Sequence, residues 1–281
     1  MPWPEMMVKD CKYALKSTRY FFINKGKIRK LFIYPHYPSS GSTMYKLAHY
    51  LNLNITNHYS SSADVVVYWE YLTFRKEFEF LESLQHQEIV NLHSRNIGKI
   101  YVDAAFAKIF GYATIINPTT FHGVCVKKND INATHDGEII QCPIEIAEPG
   151  YIYQILINNE APNEQVMDIR VPVVGEVLDF IYLKYRSISE RFVNSTTNTF
   201  KKPSVEVFSQ QEISLINDFC KEIQLDFGEL DILRNWDDGK IYIVDVNNTP
   251  QGPPANIGKQ EYKQAVAGIA DAFSKRFLHS K

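Results

Sequence analysis

Apolar and polar positions alternate along this chain in blocks short enough to read as separate elements. Residues 27–36 (KIRKLFIYPH) have a continuous apolar centre running into a proline-bounded turn and predict a buried strand. Residues 42–51 (STMYKLAHYL) change to helical spacing behind a Ser/Thr cap. A second, β-branched strand is predicted at 63–70 (ADVVVYWE), and the more polar 74–92 predicts a helix. This order gives a small parallel α/β unit over residues 1–95. Ligands collect at the carboxyl ends of such strands, which makes YPHYPSSGS a candidate substrate loop, with Tyr34, His36, Ser39, Ser40 and Ser42 as its polar members.

Beyond residue 95 the pattern changes. An amphipathic helix at 100–110 stops at Gly111 and leads through a short strand to the NPTT turn. Strands are predicted at 123–128, 151–157 and 168–174, around the polar loop 129–137. A helix is predicted at 176–184, a polar connection at 187–204 and a further helix at 209–223. Two strands, LDILRN and IYIVDVN, flank the turn Asp237-Asp238-Gly239, and a helix at 259–278 closes the chain. The fold class expected is mixed α/β and α+β. A parallel unit (1–95) precedes an antiparallel body (96–281) in two lobes, 96–157 and 158–281.

Composition narrows the partners. A formal net charge of -2, with basic residues scattered, supplies no electrostatic footprint for nucleic acid or an anionic membrane, which leaves small molecules or other proteins. No run approaches the ~20 apolar residues of a membrane span, and residues 1–10 lack the apolar core of a signal peptide. The four cysteines, Cys11, Cys125, Cys142 and Cys220, show neither CxxC spacing nor a Cys/His cluster, so reduced thiols and a cytoplasmic location are expected. Nothing in the sequence specifies an oligomeric state.

The densest polar constellation is GELDILRNWDDGKIYIVDVNNTPQGPP, residues 228–254. A hairpin here brings Asp231, near the start of one strand, to the same end as Asp245 and Asn247, near the end of the other. Period-two alternation puts Asp245 and Asn247 on one face. Carboxylate and amide oxygens are the donors Mg²⁺ takes. An acid ending the apolar run IYIV is costly unless paired or metal-bound.

Strand-acid, hairpin, acid-x-Asn-x-x-Pro resembles the end of ATP-grasp enzymes, most of all the ribosomal-protein glutamate ligases and related carboxylate-amine ligases. The likeness extends more loosely over residues 99–254. It implies an ATP-grasp fold, with the parallel unit as its N-terminal pre-ATP-grasp part. ATP and two Mg²⁺ ions would then be cofactors, the ions held by Asp231, Asp245 and Asn247. Lys127 in GVCVKK matches the lysine reaching the nucleotide phosphates and contributing to catalysis, with Lys128 competing for that place; Lys99 matches the earlier nucleotide lysine. YIYQILI is similar to the hinge whose backbone holds adenine, which assigns Gln154, Ile155 and Leu156 to the nucleotide. Arg170, in DIRVPVVG, corresponds to an arginine facing substrate and phosphate in the transition state, followed by the basic residues Lys184, Arg186 and Arg191. From the residues alone, Arg170 calls equally for a structural carboxylate partner.

The loop NDINATHDG departs from the family in having one glycine where many members have a glycine-rich phosphate loop; His135 and Asp136 lie within it. The reaction implied is activation of a carboxylate as an acyl phosphate, then attack by an amine or similar nucleophile. Phosphorylation of a small-molecule or sugar hydroxyl would use the same residues. A regulatory nucleotide-binding module and an unrelated α/β binding protein are the remaining expectations.

Overall fold

The computed structural model describes residues 15, 18–59, 63–84, 87–132, 134, 136–193 and 195–278. The N-terminal segment read for targeting signals, and His135, fall outside these. Among the described residues no helix is long and apolar enough to cross a membrane.

The first sheet is parallel, in the order β2-β1-β3-β4, formed by β1 (Lys30–Pro35), β2 (Asn54–Thr56), β3 (Val65–Trp69) and β4 (Ile89–Val90). Helix α1 (Thr43–Tyr50) crosses between β1 and β2. Its cap is Ser42, whose Oγ accepts from the Tyr45 N–H at 3.2 Å and donates to the Ser39 carbonyl at 2.7 Å. The helix expected over 74–92 shrinks to one turn, α2 (Glu79–Glu82). Tertiary bonds override the local pattern there. Phe74 bridges to Asn96, the Arg75 N–H donates to the Arg95 carbonyl, and the buried Arg75 guanidinium donates to the Glu70 and Asn248 carbonyls at 3.1 and 3.2 Å.

Helix α3 (Lys99–Phe110) stops at Gly111, whose φ of +80° closes the helix in the left-handed conformation. Three antiparallel strands follow in the order β6-β5-β7: β5 (Gly123–Asn129), β6 (Glu138–Cys142) and β7 (Tyr151–Ile155). The chain then builds a seven-stranded sheet whose main path is β12-β11-β9-β13-β14. Its strands are β8 (Glu160–Ala161), β9 (Gln165–Val174), β10 (Glu176–Val177), β11 (Phe180–Ser187), β12 (Asn198–Pro203), β13 (Phe227–Arg234) and β14 (Ile241–Asn247). The helix expected at 176–184 is corrected to strand. β11 has partners on both sides, β9 and β12, and from Tyr182 onward burial alternates, with Tyr182, Lys184 and Arg186 buried and Leu183, Tyr185 and Ser187 less so. The connection expected at 187–204 contains the edge strand β12.

Helices α4 (Ser204–Val207), α5 (Gln210–Glu222) and α6 (Lys259–Phe277) complete the chain, α5 opening on a Ser209–Glu212 capping box. One face of the large sheet, with Ile169, Val171, Leu230 and Val246, joins Phe106 of α3 and Phe219 of α5 in a core. A second core is common to the N-terminal sheet, α6 and the far end of the large sheet. It joins Leu31, Leu47 and Trp69 to Ile269, Phe273, Val174, Phe180, Tyr182 and Phe227.

Candidate functional site

A cavity of about 530 Å³ opens between the three-stranded lobe and the large sheet. Strand alternation chooses its polar wall. Tyr182, Arg170, Asp231 and Asp245 occupy one register row across β11, β9, β13 and β14, so their side chains share a face, of which Arg170, Asp231 and Asp245 line the cavity. Lys184 pairs with Asp168 one step along that face, and Asn247 follows Asp245. Between Asp231 and Ile232 the register slips, leaving Val244 as the extra residue of a bulge, and Val244 also lines the cavity.

Charges on this wall are unevenly paired. Arg170 donates through Nε and Nη2 to both oxygens of Asp231 at 2.8 Å. Burial alone would raise the Asp231 carboxyl, but Arg170 and Lys184 hold it well below the usual range. Asp245 has no such partner. Desolvation, and then Asp231, push it up to about 6, against the pull of Lys99 and Lys128, and its Oδ1 makes no hydrogen bond. The Asn247 side-chain oxygen accepts the Thr249 N–H at 3.0 Å. Among the described residues no group of three His, Cys, Asp or Glu side chains is arranged to hold a metal ion. Two carboxylates and an amide at one hairpin end instead leave most of a hard cation's shell to water or phosphate oxygens, the habit of Mg²⁺. The unclaimed Asp245 oxygen fits that ion.

The opposite wall corrects one expectation. Lys127 faces away from the cavity, paired with Glu148 and lying 4.3 Å from the Tyr151 ring centroid. Alternation along β5 turns Val126 and Lys128 inward instead. Desolvation lowers Lys128 to about 8, and no ion pair offsets it. Lys184, 5% exposed, also lines the cavity without an ion pair, and burial lowers it too. Lys99 donates to the Ile131 carbonyl at 2.9 Å and to Asn132 Oδ1 at 3.2 Å. That loop is tied down further by Asn132, whose amide donates to the Val246 carbonyl at 3.0 Å. Thr134, Asp136 and Gly137 continue it along the cavity. Gly137 lies against the Phe192 ring, where a Cβ would stand 2.6 Å from ring carbons, so its single glycine meets a steric demand.

Gln154, Ile155 and Leu156 line the other end, beside Val126, Ile157 and Val244, as an apolar slot. The Gln154 amide donates to the Thr114 hydroxyl, which donates to the buried Asp103; Asp103 also accepts the Thr114 N–H at 2.7 Å. This relay fixes the amide and leaves Gln154 Oε1 unpartnered. Arg186 is paired with Asp168, and Arg191 lies 3.7 Å from Glu160.

The structure thus brings Lys99, Gln154, Ile155, Leu156, Arg170, Lys184, Arg186, Asp231, Asp245 and Asn247 to one cavity and leaves Lys127 outside it. The candidate substrate loop is adjacent rather than lining. Ser42 serves as a helix cap, and Ser39 donates to Gln251 Oε1 at 3.1 Å. The N-terminal sheet contributes Tyr71, Leu72 and Thr73 instead. Asp103, Thr114 and Asp168 were not singled out in the sequence; Asp168 alternates with Arg170, a signal that was there to read.

No family model matches the chain, and no curated protein matches it in sequence. Solved structures do. The D-alanine–D-alanine ligase from Bacillus anthracis superposes with a TM-score of 0.53 at 12% identity, covering 89% of this chain and 97% of that one. The ATP-grasp ligase PsnB, solved with a phosphomimetic variant of its minimal precursor, Mg and ADP, gives 0.55 at 11% identity over 89% and 99%. The VanG D-Ala:D-Ser ligase from Enterococcus faecalis gives 0.53 at 11% identity over 79% and 75%. At these identities the likeness is one of architecture, and the architecture of this chain is that of the ATP-grasp ligases.

Proposed function

We propose that the protein is a Mg²⁺-ATP-dependent ligase that activates a carboxylate as an acyl phosphate for attack by an amine. The observation that carries this reading is one cavity in which the cations Lys128 and Lys184 lack ion pairs while Asp231, Asp245 and Asn247 offer oxygen donors. Buried cations whose carboxylate neighbours stay beyond ion-pair distance carry a desolvation cost that a polyphosphate removes.

Lys128 and Lys99 receive phosphate oxygens, and Gln154, Ile155 and Leu156 receive the adenine ring in the apolar slot. Asp231, Asp245 and Asn247 hold Mg²⁺, which when bound neutralises phosphate charge. Arg170 and Lys184 stabilise charge on the phosphoryl group in transit, while Arg186 orients Asp168. The substrate carboxylate attacks the γ-phosphorus and ADP leaves. The amine then attacks the acyl carbon, phosphate leaves and the nitrogen gives up a proton. The loop closed by Asn132 and Gly137 keeps water from the acyl phosphate.

The test is incubation of Mg²⁺-ATP with pooled carboxylic acids and amines, comparing wild type with Asp245→Ala. Substrate-stimulated ADP release with an amide product, lost in the variant, supports the ligase. A phosphorylated hydroxyl product would make it a kinase instead, and no nucleotide binding at millimolar Mg²⁺-ATP would overturn both.

A further inference from the structure

Where β11, β13 and the turn 248–252 meet α1 and α6, behind the cavity residues Asn247, Thr249 and Gln251, lie buried polar atoms that the chemistry above does not use. Glu229 lies two residues before Asp231 on β13 and opposite Asn247 on β14. Strand alternation therefore aims it to the same side of the sheet as those two cavity residues. It is 2% exposed, and neither carboxylate oxygen accepts a hydrogen bond. The hydroxyl of Tyr182, at 0% exposure in the row containing Arg170, is equally unpartnered.

Donors nearby are committed elsewhere. Arg170 gives Nε and Nη2 to Asp231, which leaves its Nη1 3.6 Å from Glu229 Oε2, beyond hydrogen-bond reach. Lys46 Nζ donates to the Gly252 carbonyl at 2.9 Å and lies over the Tyr262 ring at 5.6 Å. The Thr43 hydroxyl donates to the same carbonyl at 3.0 Å. Gly252 itself passes so close to the carboxylate that a Cβ there would collide with it, so the turn is moulded around Glu229. Two bare oxygens on a buried carboxylate destabilise the fold, and a ligand bearing a cationic donor removes that penalty.

We propose that Glu229 is the specificity carboxylate of this enzyme, receiving an ammonium group of the substrate that carries the nucleophile. The proposal rests on the ligase reading and narrows it: the acceptor is a primary amine that arrives as its ammonium and gives one proton to the Glu229 carboxylate before its lone pair attacks, rather than a hydroxyl or neutral amide. Tyr182 supplies a second polar contact from β11, across β9, and the turn 249–252 sets how large a group fits beside the ammonium.

The test titrates protein loaded with Mg²⁺ and a non-hydrolysable ATP analogue with glycinamide and with glycolamide, its neutral hydroxyl counterpart. Glycinamide is expected to bind at least about tenfold more tightly, which corresponds to about 1.4 kcal/mol. Glu229→Gln should erase the preference and leave the melting temperature unchanged or raised, because it removes a buried carboxylate whose oxygens accept no hydrogen bond. Gly252→Ala, with the carboxylate intact but crowded, should weaken glycinamide binding by a similar factor. Equal binding of the two probes, a preference that survives Glu229→Gln, or a lowered melting temperature with the preference unchanged would each overturn the proposal. Absence of nucleotide binding would remove the ligase reading and this proposal together, whereas nucleotide binding without amine preference removes this proposal alone.

Discussion

Arg170 and Asp231 stand opposite each other on β9 and β13, and the guanidinium grips both carboxylate oxygens at 2.8 Å, whereas Asp245, next in the row, is left without a cationic hydrogen-bond partner. Two aspartates in one row therefore respond oppositely to mutation. Asp231→Asn strands a buried guanidinium and should lower stability by about 3 kcal/mol. Asp245→Asn removes a repelled, poorly solvated charge and should leave stability unchanged or raise it. Urea unfolding of nucleotide-free protein at neutral pH separates the two.

The same imbalance sets a pH dependence. Asp245 is raised to about 6 in the fold, above the ~3.9 of an unfolded aspartate. Between those values the native state binds the extra proton, so this group's contribution to stability falls as pH rises from 4 to 6 and then levels off. Its size is about 2 kcal/mol, discounted from the full shift for partial solvation. Unfolding free energies of wild type and Asp245→Asn, measured without metal from pH 4 to 7, should converge at the acidic end and separate above pH 6.

Adjacent lysines on β5 provide a paired control. Lys128→Met should weaken Mg²⁺-ADP binding at least about tenfold, while Lys127→Met, which loses only a partly exposed pairing with Glu148, should stay within about twofold. Because Lys128 titrates near 8, its attraction for phosphate is complete below that pH and fades above it. Calorimetric affinity for Mg²⁺-ADP should therefore fall between pH 7.5 and 9 in wild type, with that limb missing from Lys128→Met.

Gln154 offers an unpartnered carbonyl oxygen held in place by Thr114 and Asp103. An acceptor at that point favours the amino group of adenine over the carbonyl of guanine. Gln154→Leu should reduce the preference for ATP over GTP by about tenfold, about 1.4 kcal/mol, in a competition binding assay.

The elements that sequence made visible are those whose pattern is local. Helix α5 announces itself by Ser209 and Glu212, α3 by its stop at Gly111, and the β13–β14 hairpin by Asp237-Asp238-Gly239 between apolar runs. Elements whose conformation depends on distant partners stayed hidden. β11 reads as helix until β9 and β12 flank it, β12 is a polar edge with little apolar face to show, and β6 is a five-residue edge too short to show a period. Lys127 and Lys128 are chemically identical neighbours that only the direction of the pleat separates. Glu229 sat inside the quoted motif, alternating with Asp231, but its burial comes from α1, α6 and the Gly252 turn, which lie far away in the chain.

The core common to the N-terminal sheet, α6 and the large sheet limits how this protein can be re-engineered or diversified. Leu31, Leu47 and Trp69 interlock with Val174, Phe180, Phe227 and Phe273, so the first sheet is no detachable cassette. Grafting another N-terminal sheet would uncover the large sheet's aromatic flank unless α6 were recut with it. The three-stranded lobe, by contrast, has a small core of its own in Cys125, Cys142 and Tyr153, and an exchange of it would have to keep Ile155 on the large core and Asn132 on Val246.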